Sequence, residues 1–348
     1  MLIQSTMESR DEYLRLEMAR ASRVLVDDVL RMRPGTTVVI TADSGSDARV
    51  VWSNAEAVHA GGGVAIVIWY HQLPRPQMEI PAPVSAALRE ADIWIEHAVA
   101  YSMYTEGWHR ALEAGVLYCE LSAMDVDGMV RCVGRQKILP MARMGEAIKA
   151  LLTDAELRVT SAAGTDVTFS NKGCEIGAFA MHATPEKTPI MLGGQISWTP
   201  VESSLNGRLI ADGILYPPTE VGVLAAPVAF EVSGGRLVGF DGGREAVLLR
   251  NWLGALDSQT DMDRIAHVSL GFNPGVPVPT GRIIEDERAF GDIDFGFGAW
   301  VGRPAAGHFD FTCRQVSLWA NGVQLMDHGL FVEPQLAEIC REMGVPRH

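Results

Sequence analysis

The sequence predicts an α/β protein in two parts: a doubly wound open-sheet domain over residues 1–153, then a β-rich α+β domain over residues 154–348 that carries a candidate metal site. Three observations predict it. Continuous apolar, β-branched runs alternate with amphipathic segments through the first 120 residues, the pattern of parallel strands linked by helices. Beyond Ala155 the runs become short and glycine-punctuated, and helical periodicity is sparse. A length of 348 residues is ample for two domains.

The elements follow in order. From Met7 to Arg33, Leu14, Met18, Ala21, Leu25 and Val29 recur at spacings of three and four, which predicts a helix stopped by Pro34-Gly35. Thr36–Ala42 reads as a buried strand. Three helix–strand pairs come next: Asp47–His59 with Val64–Tyr70, Val84–Glu90 with Asp92–His97, and Thr105–Ala114 with Val116–Glu120. Asp125–Ile138 shows no periodicity and is expected to be a loop. Met141–Leu152 is expected to be a helix at the junction of the two domains. Strands are predicted at Leu157–Ser161, Asp166–Phe169, Arg208–Ala211, Val228–Val232 and Arg236–Phe240, with Gly234-Gly235 as a hairpin turn. Helices return at Ala246–Leu253 and Pro334–Met343.

Composition excludes several functions. With 47% hydrophobic and 21% charged residues the chain is ordinary for a globular protein. A formal net charge of -14 argues against a nucleic-acid partner and an anionic membrane surface. The five cysteines are scattered without a C-x-x-C, as expected of free thiols in a reducing compartment. No signal-peptide pattern opens the sequence and no apolar run approaches ~18 residues, so a cytoplasmic location is expected. The loop Ala42–Asp47 has one glycine and two acids, which speaks against a phosphate cradle and a nucleotide cofactor. G-x-S-x-G and H-E-x-x-H are both absent.

The chemistry concentrates between His267 and Asp310. His267 lies in an apolar run ending at Gly271 and Asn273-Pro274, a buried strand entering a turn. His308-Phe309-Asp310-Phe311 alternates, so on a strand His308 and Asp310 share one face and the two phenylalanines the other. Two imidazoles and one carboxylate are the donor set of a 2-His-1-carboxylate metal site. A histidine in an apolar strand is also commonly a hydrogen-bonded core residue, and the sequence does not show that His267 reaches the pair. Asp292 and Asp294 share a strand face ahead of Gly296-Phe297-Gly298, as metal-binding carboxylates or as an ordinary sheet edge. Glu202, in a loop before Asn206-Gly207, and His182, His97, Tyr101 and Tyr104 are further acid–base candidates. The last three stand at or just after the C-terminal end of a parallel strand, where open α/β sheets form crevices.

Taken in order, Ala163–Thr168, Glu202 with Asn206-Gly207, His267–Pro274, Gly281–Glu287, Gly296-Phe297-Gly298 and His308-Phe309-Asp310 resemble the aminopeptidase T-like superfamily over roughly Leu157 to Asn321. In its aminopeptidases the resemblance implies two divalent ions (Zn, Mn or Co) on Glu202, His267, Asp292, His308 and Asp310. That branch, however, has Glu in place of His267 and His in place of Asp292. In its 2,5-dihydroxypyridine 5,6-dioxygenase branch it implies one Fe(II) on His267, His308 and Asp310, with no substitution. His267 therefore points to the second branch. That branch also carries histidines near Tyr101-Ser102 and near Ile190, and here His182 or Tyr104 is expected to replace them. The resemblance thus implies an Fe(II) extradiol-type dioxygenase that opens a hydroxylated N-heteroaromatic (dihydroxypyridine-like) or related aromatic ring with O2. Glu202 and Asp292 are expected as outer orienters or proton acceptors, and a homodimer or higher homo-oligomer as the assembly. A dinuclear aminopeptidase, and a non-catalytic metal or small-molecule binder on the same scaffold, are the alternatives.

Overall fold

The structure is a computed structural model that describes residues 12–177, 179–218, 220–300 and 303–345. The chain divides into two compact units, Met1–Arg135 with His182–Leu192, and Gln136–Met181 with Gly193–His348.

The first unit is built on a parallel sheet. Its strands run in the order Val64–Tyr70, Thr37–Asp43, Ile93–Glu96, Leu117–Glu120 and the short Ile190–Met191. The chain starts in the interior, moves one way and then returns past its first strand, which is doubly wound topology. Thr37–Asp43 is almost wholly buried, as its apolar run requires. Helices Ala48–Ala60 and Glu106–Glu113 start where Asp47 and Thr105 accept a backbone N–H, from Arg49 and Trp108.

Two expectations need correction here. The first helix begins only at Arg15, after Leu14 in a left-handed conformation, and its end widens into a π-helical turn over Leu25–Val29. Its expected start, Met7–Asp11, lies outside the described residues. The segment expected to be a loop is instead helical, Val126–Met129 running into a π-turn at Val130–Gly134. Asp125 caps it by accepting the Gly128 N–H, and Gly134 lets its backbone approach Ala21, where a Cβ would sit 2.7 Å from the alanine methyl. Contact between helices, not amphipathic period, sets this segment.

The second unit holds helix Ile138–Leu152 and two antiparallel sheets. The eight-stranded sheet runs Arg236–Gly242, Val228–Ser233, Asn206–Ala211, Asp166–Ser170, Glu156–Thr160, Ser317–Ala320, Val323–Asp327 and Leu330–Phe331. Gly234 and Gly235, both at positive φ, make the tight hairpin turn at its edge. The six-stranded sheet runs Gly222–Val223, Ile214–Tyr216, Arg303–Cys313, Ile293–Trp300, Ile265–Gly271 and Gln195–Trp198.

Alternation gives this second sheet two unlike faces. Phe295, Phe297, Phe309 and Phe311 line one and are fully buried. Phe311 stacks on Phe230 of the eight-stranded sheet at 4.2 Å, almost parallel, so aromatic rings join the two layers. Each buried ring contributes roughly 2 kcal/mol by area. The other face carries His267, Ser269, Asp294, Gly296, His308, Asp310 and Thr312, and presents the site.

Candidate metal centre

Strand register brings the donors together. His267, Gly296 and Asp310 lie in one row across three neighbouring strands, and His308 stands two residues before Asp310 on the same face. His267 Nε2 is 3.1 Å from Asp310 Oδ1 and 3.2 Å from His308 Nε2, and His308 Nε2 is 2.9 Å from the same Asp310 oxygen. Among the described residues, these three form the group of His, Cys, Asp and Glu side chains whose donor atoms gather closely enough to hold a metal ion.

The row works because its middle member has no side chain. A Cβ built on Gly296 would lie 2.3 Å from His267 Nε2 and 2.7 Å from Asp310 Oδ1. Any other residue there would fill the space into which both donors point.

The outer ring nitrogens face away from this space. His308 Nδ1 donates to the Ala299 carbonyl at 2.8 Å, so Nε2 of the neutral ring carries the lone pair. His267 Nδ1 meets Ser269 Oγ at 3.0 Å, and Ser269 Oγ meets Ser197 Oγ at 2.8 Å on the next strand. Trp300 leans over the pair, its ring 4.7 Å from that of His267.

Electrostatics couple the cluster. Burial works against the Asp310 carboxylate, but His308 and His267 outweigh it and hold Asp310 well below the usual carboxylate range. Burial likewise disfavours the His308 cation, yet Asp310 wins and raises it. Behind them Asp294 is fully buried and pushed well upward, by desolvation first and by Asp310 next. Three donors biased toward sharing a positive charge suit a divalent cation of borderline hardness.

The other candidates are not part of this group of three. Glu202 starts a short 3-10 turn, and its oxygens accept from Arg264 Nε at 2.6 Å and Arg303 Nη1 at 2.5 Å. Arg303 also donates to the Ile265 carbonyl at 2.6 Å, so Glu202 ties together the strands that bear the donors. Asp292 is buried just before the Gly296 strand, accepts the Gln315 N–H at 2.8 Å and lies 3.6 Å from Arg314. Desolvation raises it to about 7. His182 and Tyr104 belong to the first unit, His182 bonding through Nδ1 to the Ala183 carbonyl and Tyr104 in edge contact with Trp108. His97 is a satisfied core histidine: Asn54 donates to its Nε2 at 2.9 Å, and its Nδ1 donates to the Leu121 carbonyl at 3.1 Å.

Sequence reasoning missed Gly296, Ser269 and Trp300, and weighed Asp292 above Asp294. One signal was available. In Asp294-Phe295-Gly296-Phe297-Gly298 the phenylalanines fill one face and glycines the other, which marks a strand kept bare for something to sit on.

Comparison with known proteins bears on the same region. A structure of 2,5-dihydroxypyridine dioxygenase from Pseudomonas putida KT2440 is similar, with a TM-score of 0.75 at 17% identity, covering 94% of this chain and 99% of that one. AmpT from Thermus thermophilus is also similar, with a TM-score of 0.64 at 14% identity over 92% of this chain and 100% of that one. At these identities the likeness is one of fold. A search of curated proteins finds no match. The chain matches the NicX family, 2,5-dihydroxypyridine 5,6-dioxygenase, over residues 28–333, and with that span it belongs to this family and is a dioxygenase.

Proposed function

We propose that the protein is a mononuclear non-haem Fe(II) dioxygenase of extradiol type, opening the ring of a hydroxylated N-heteroaromatic such as a dihydroxypyridine. The observation that carries this reading is the Gly296 gap: the His267 Nε2 and an Asp310 oxygen converge on a place that a single methyl group would fill, and His308 Nε2 lies 3.2 and 2.9 Å from those two atoms. Family membership supports the ring-opening chemistry.

The donor set fits Fe(II), being two nitrogens and one oxygen, all from one face. Bound there, Fe(II) would supply a common meeting point for the substrate's ring oxygen and O2, making their encounter intramolecular. The chain's own residues do the rest. Ala299 and Ser269 hold the two imidazoles by their outer nitrogens, so that both Nε2 atoms face inward. Trp300 offers an aromatic surface beside the donors for a planar ring. Glu202 anchors the strands through Arg264 and Arg303; with both oxygens so engaged, we assign it to holding the donors rather than to moving a proton.

The dinuclear aminopeptidase reading needs Glu202 and Asp292 as ligands. Engagement of Glu202 by two guanidiniums, and of Asp292 by the Gln315 amide, favours the one-metal reading. Proton transfer by His182 or Tyr104 remains part of the proposal, to be tested by whether His182→Ala or Tyr104→Phe lowers kcat. The five free cysteines accord with a reducing, cytoplasmic setting, and a homo-oligomer is expected on gel filtration.

The test is metal content after anaerobic reconstitution with Fe(II), for wild type, His308→Ala and Asp292→Ala. One iron per chain in wild type and Asp292→Ala, none in His308→Ala, and O2 uptake with dihydroxypyridines are expected. Two metals in wild type, with one lost on Asp292→Ala, would sink the reading.

A further inference from the structure

Asp294 poses a problem that the three donors do not solve. It is fully buried, directly opposite Ser269 and Thr312 in register and two residues before Gly296 on the same face. Neither of its carboxyl oxygens has a hydrogen-bond partner. Buried polar groups are nearly always bonded, and an orphaned carboxyl is among the costliest exceptions. The buried Arg288, bonded to Glu287 Oε2 at 3.1 Å, favours the charged form of Asp294 electrostatically, the smallest of the influences on it.

A donor nevertheless stands close. His267 Nδ1 is 3.8 Å from Asp294 Oδ2, just beyond bonding distance, while its present contact is the Ser269 hydroxyl at 3.0 Å. A hydroxyl can give or take a hydrogen bond, so Ser269 alone leaves the His267 tautomer unfixed. The carboxyl oxygen that faces Nδ1 can accept from it whether the group is ionised or, as burial favours, protonated at its other oxygen. Set behind Nδ1, it makes that nitrogen the protonated one and leaves Nε2 to bind an ion.

We propose that Asp294 is the positioning residue of His267, an outer carboxylate that fixes the ring's orientation and tautomer when an ion is held by His267, His308 and Asp310. The inference rests on the one-metal reading above. Asp294 acts through His267 and does not itself touch the ion. Its lack of hydrogen-bond partners costs stability, which a role behind His267 offsets.

The experiment measures anaerobic Fe(II) binding by calorimetry for wild type, Asp294→Asn and Ser269→Ala, together with the melting temperature of each protein without metal. Asp294→Asn keeps the shape but replaces one carboxyl oxygen with an NH2 that can only donate. Expected are a 10–100-fold loss of Fe(II) affinity in Asp294→Asn, a smaller loss in Ser269→Ala, and a metal-free melting temperature for Asp294→Asn equal to or above wild type. A purely structural residue would instead lower that temperature. Wild-type affinity in Asp294→Asn overturns the proposal and leaves the one-metal reading standing. Failure of Asp294→Asn to fold also overturns it, since Asp294 would then be a folding residue. Wild type that takes up no iron sinks both.

Discussion

Gly296→Ala is the most direct test of how the site is built. The change adds one methyl group to a strand interior, which by itself carries little intrinsic penalty. Here that methyl would lie 2.3 Å from His267 Nε2, 2.6 Å from His267 Cδ2 and 2.7 Å from Asp310 Oδ1. Ordinary contact begins near 3.4 Å, so the imidazole must retreat by roughly 1 Å, and Asp310 must also give. Both side chains are buried, and His267 is held at its far nitrogen, so neither can swing into solvent. Misplacement of about 1 Å commonly costs on the order of 100-fold in rate, and overpacking costs about 1–3 kcal/mol of stability. Gly239 is the control: it is exposed on its strand, and a Cβ there meets nothing within 4 Å. Gly296→Ala is expected to lose at least 100-fold in Fe(II) affinity and O2 uptake while Gly239→Ala behaves as wild type, read by calorimetry and an oxygen electrode. Wild-type affinity in a folded Gly296→Ala protein would refute the claim that the gap is where an ion sits.

Further predictions follow from the buried charges. Asp292 is raised from its unfolded value to about 7, so the folded state binds more protons between about pH 4 and 7 and stability falls as pH rises through that window. Asp292→Asn should therefore melt higher than wild type at pH 8, by about 1–3 kcal/mol in stability, and equally at pH 4, as thermal denaturation at both values would reveal. His97 is lowered to about 4 by burial, so its contribution is present above its unfolded value near 6.5 and is lost as pH drops toward 4. His97→Gln should melt lower than wild type at neutral pH and show a flatter acid limb; an unchanged limb would remove His97 from the account. Glu202→Gln weakens two ion pairs at a half-buried position and should cost roughly 1–2 kcal/mol by chemical denaturation with metal stoichiometry unchanged. A lost metal would make Glu202 a ligand.

Much of the fold was legible because it rests on local signals. The parallel strands announce themselves as continuous apolar runs, and Asp47, Thr105 and Gly234-Gly235 mark helix starts and a hairpin by chemistry that acts within a few residues. The segment Val126–Gly134 was not legible, because its helical form depends on the approach of Gly134 to Ala21, more than a hundred residues earlier. The site divided in the same way. His308 and Asp310 share a face by strand period alone, whereas placing His267 beside them requires the register of three strands. Loops mislead for a related reason: Glu202 looks like a free carboxylate until Arg264 and Arg303 arrive from distant strands.

The two faces of the six-stranded sheet explain why the arrangement can afford its polar side. A face bearing two imidazoles, two buried carboxyls and bare glycines stabilises little by itself, and Asp294 without a partner costs stability outright. On the same strands, Phe295, Phe297, Phe309 and Phe311 alternate with those residues and bury completely against the layer that carries Phe230. Every step of two along the Gly296 or Asp310 strand thus sets one aromatic ring against one functional position. The rings fix register, since a slip of one residue would expose the phenylalanines and bury the donors among them. Register in turn keeps His267, the Gly296 gap and Asp310 in one row. Stability and site geometry are therefore one property here, and a substitution that loosens the aromatic face, such as Phe309→Ala, should disturb the donors on the other side before it unfolds the sheet.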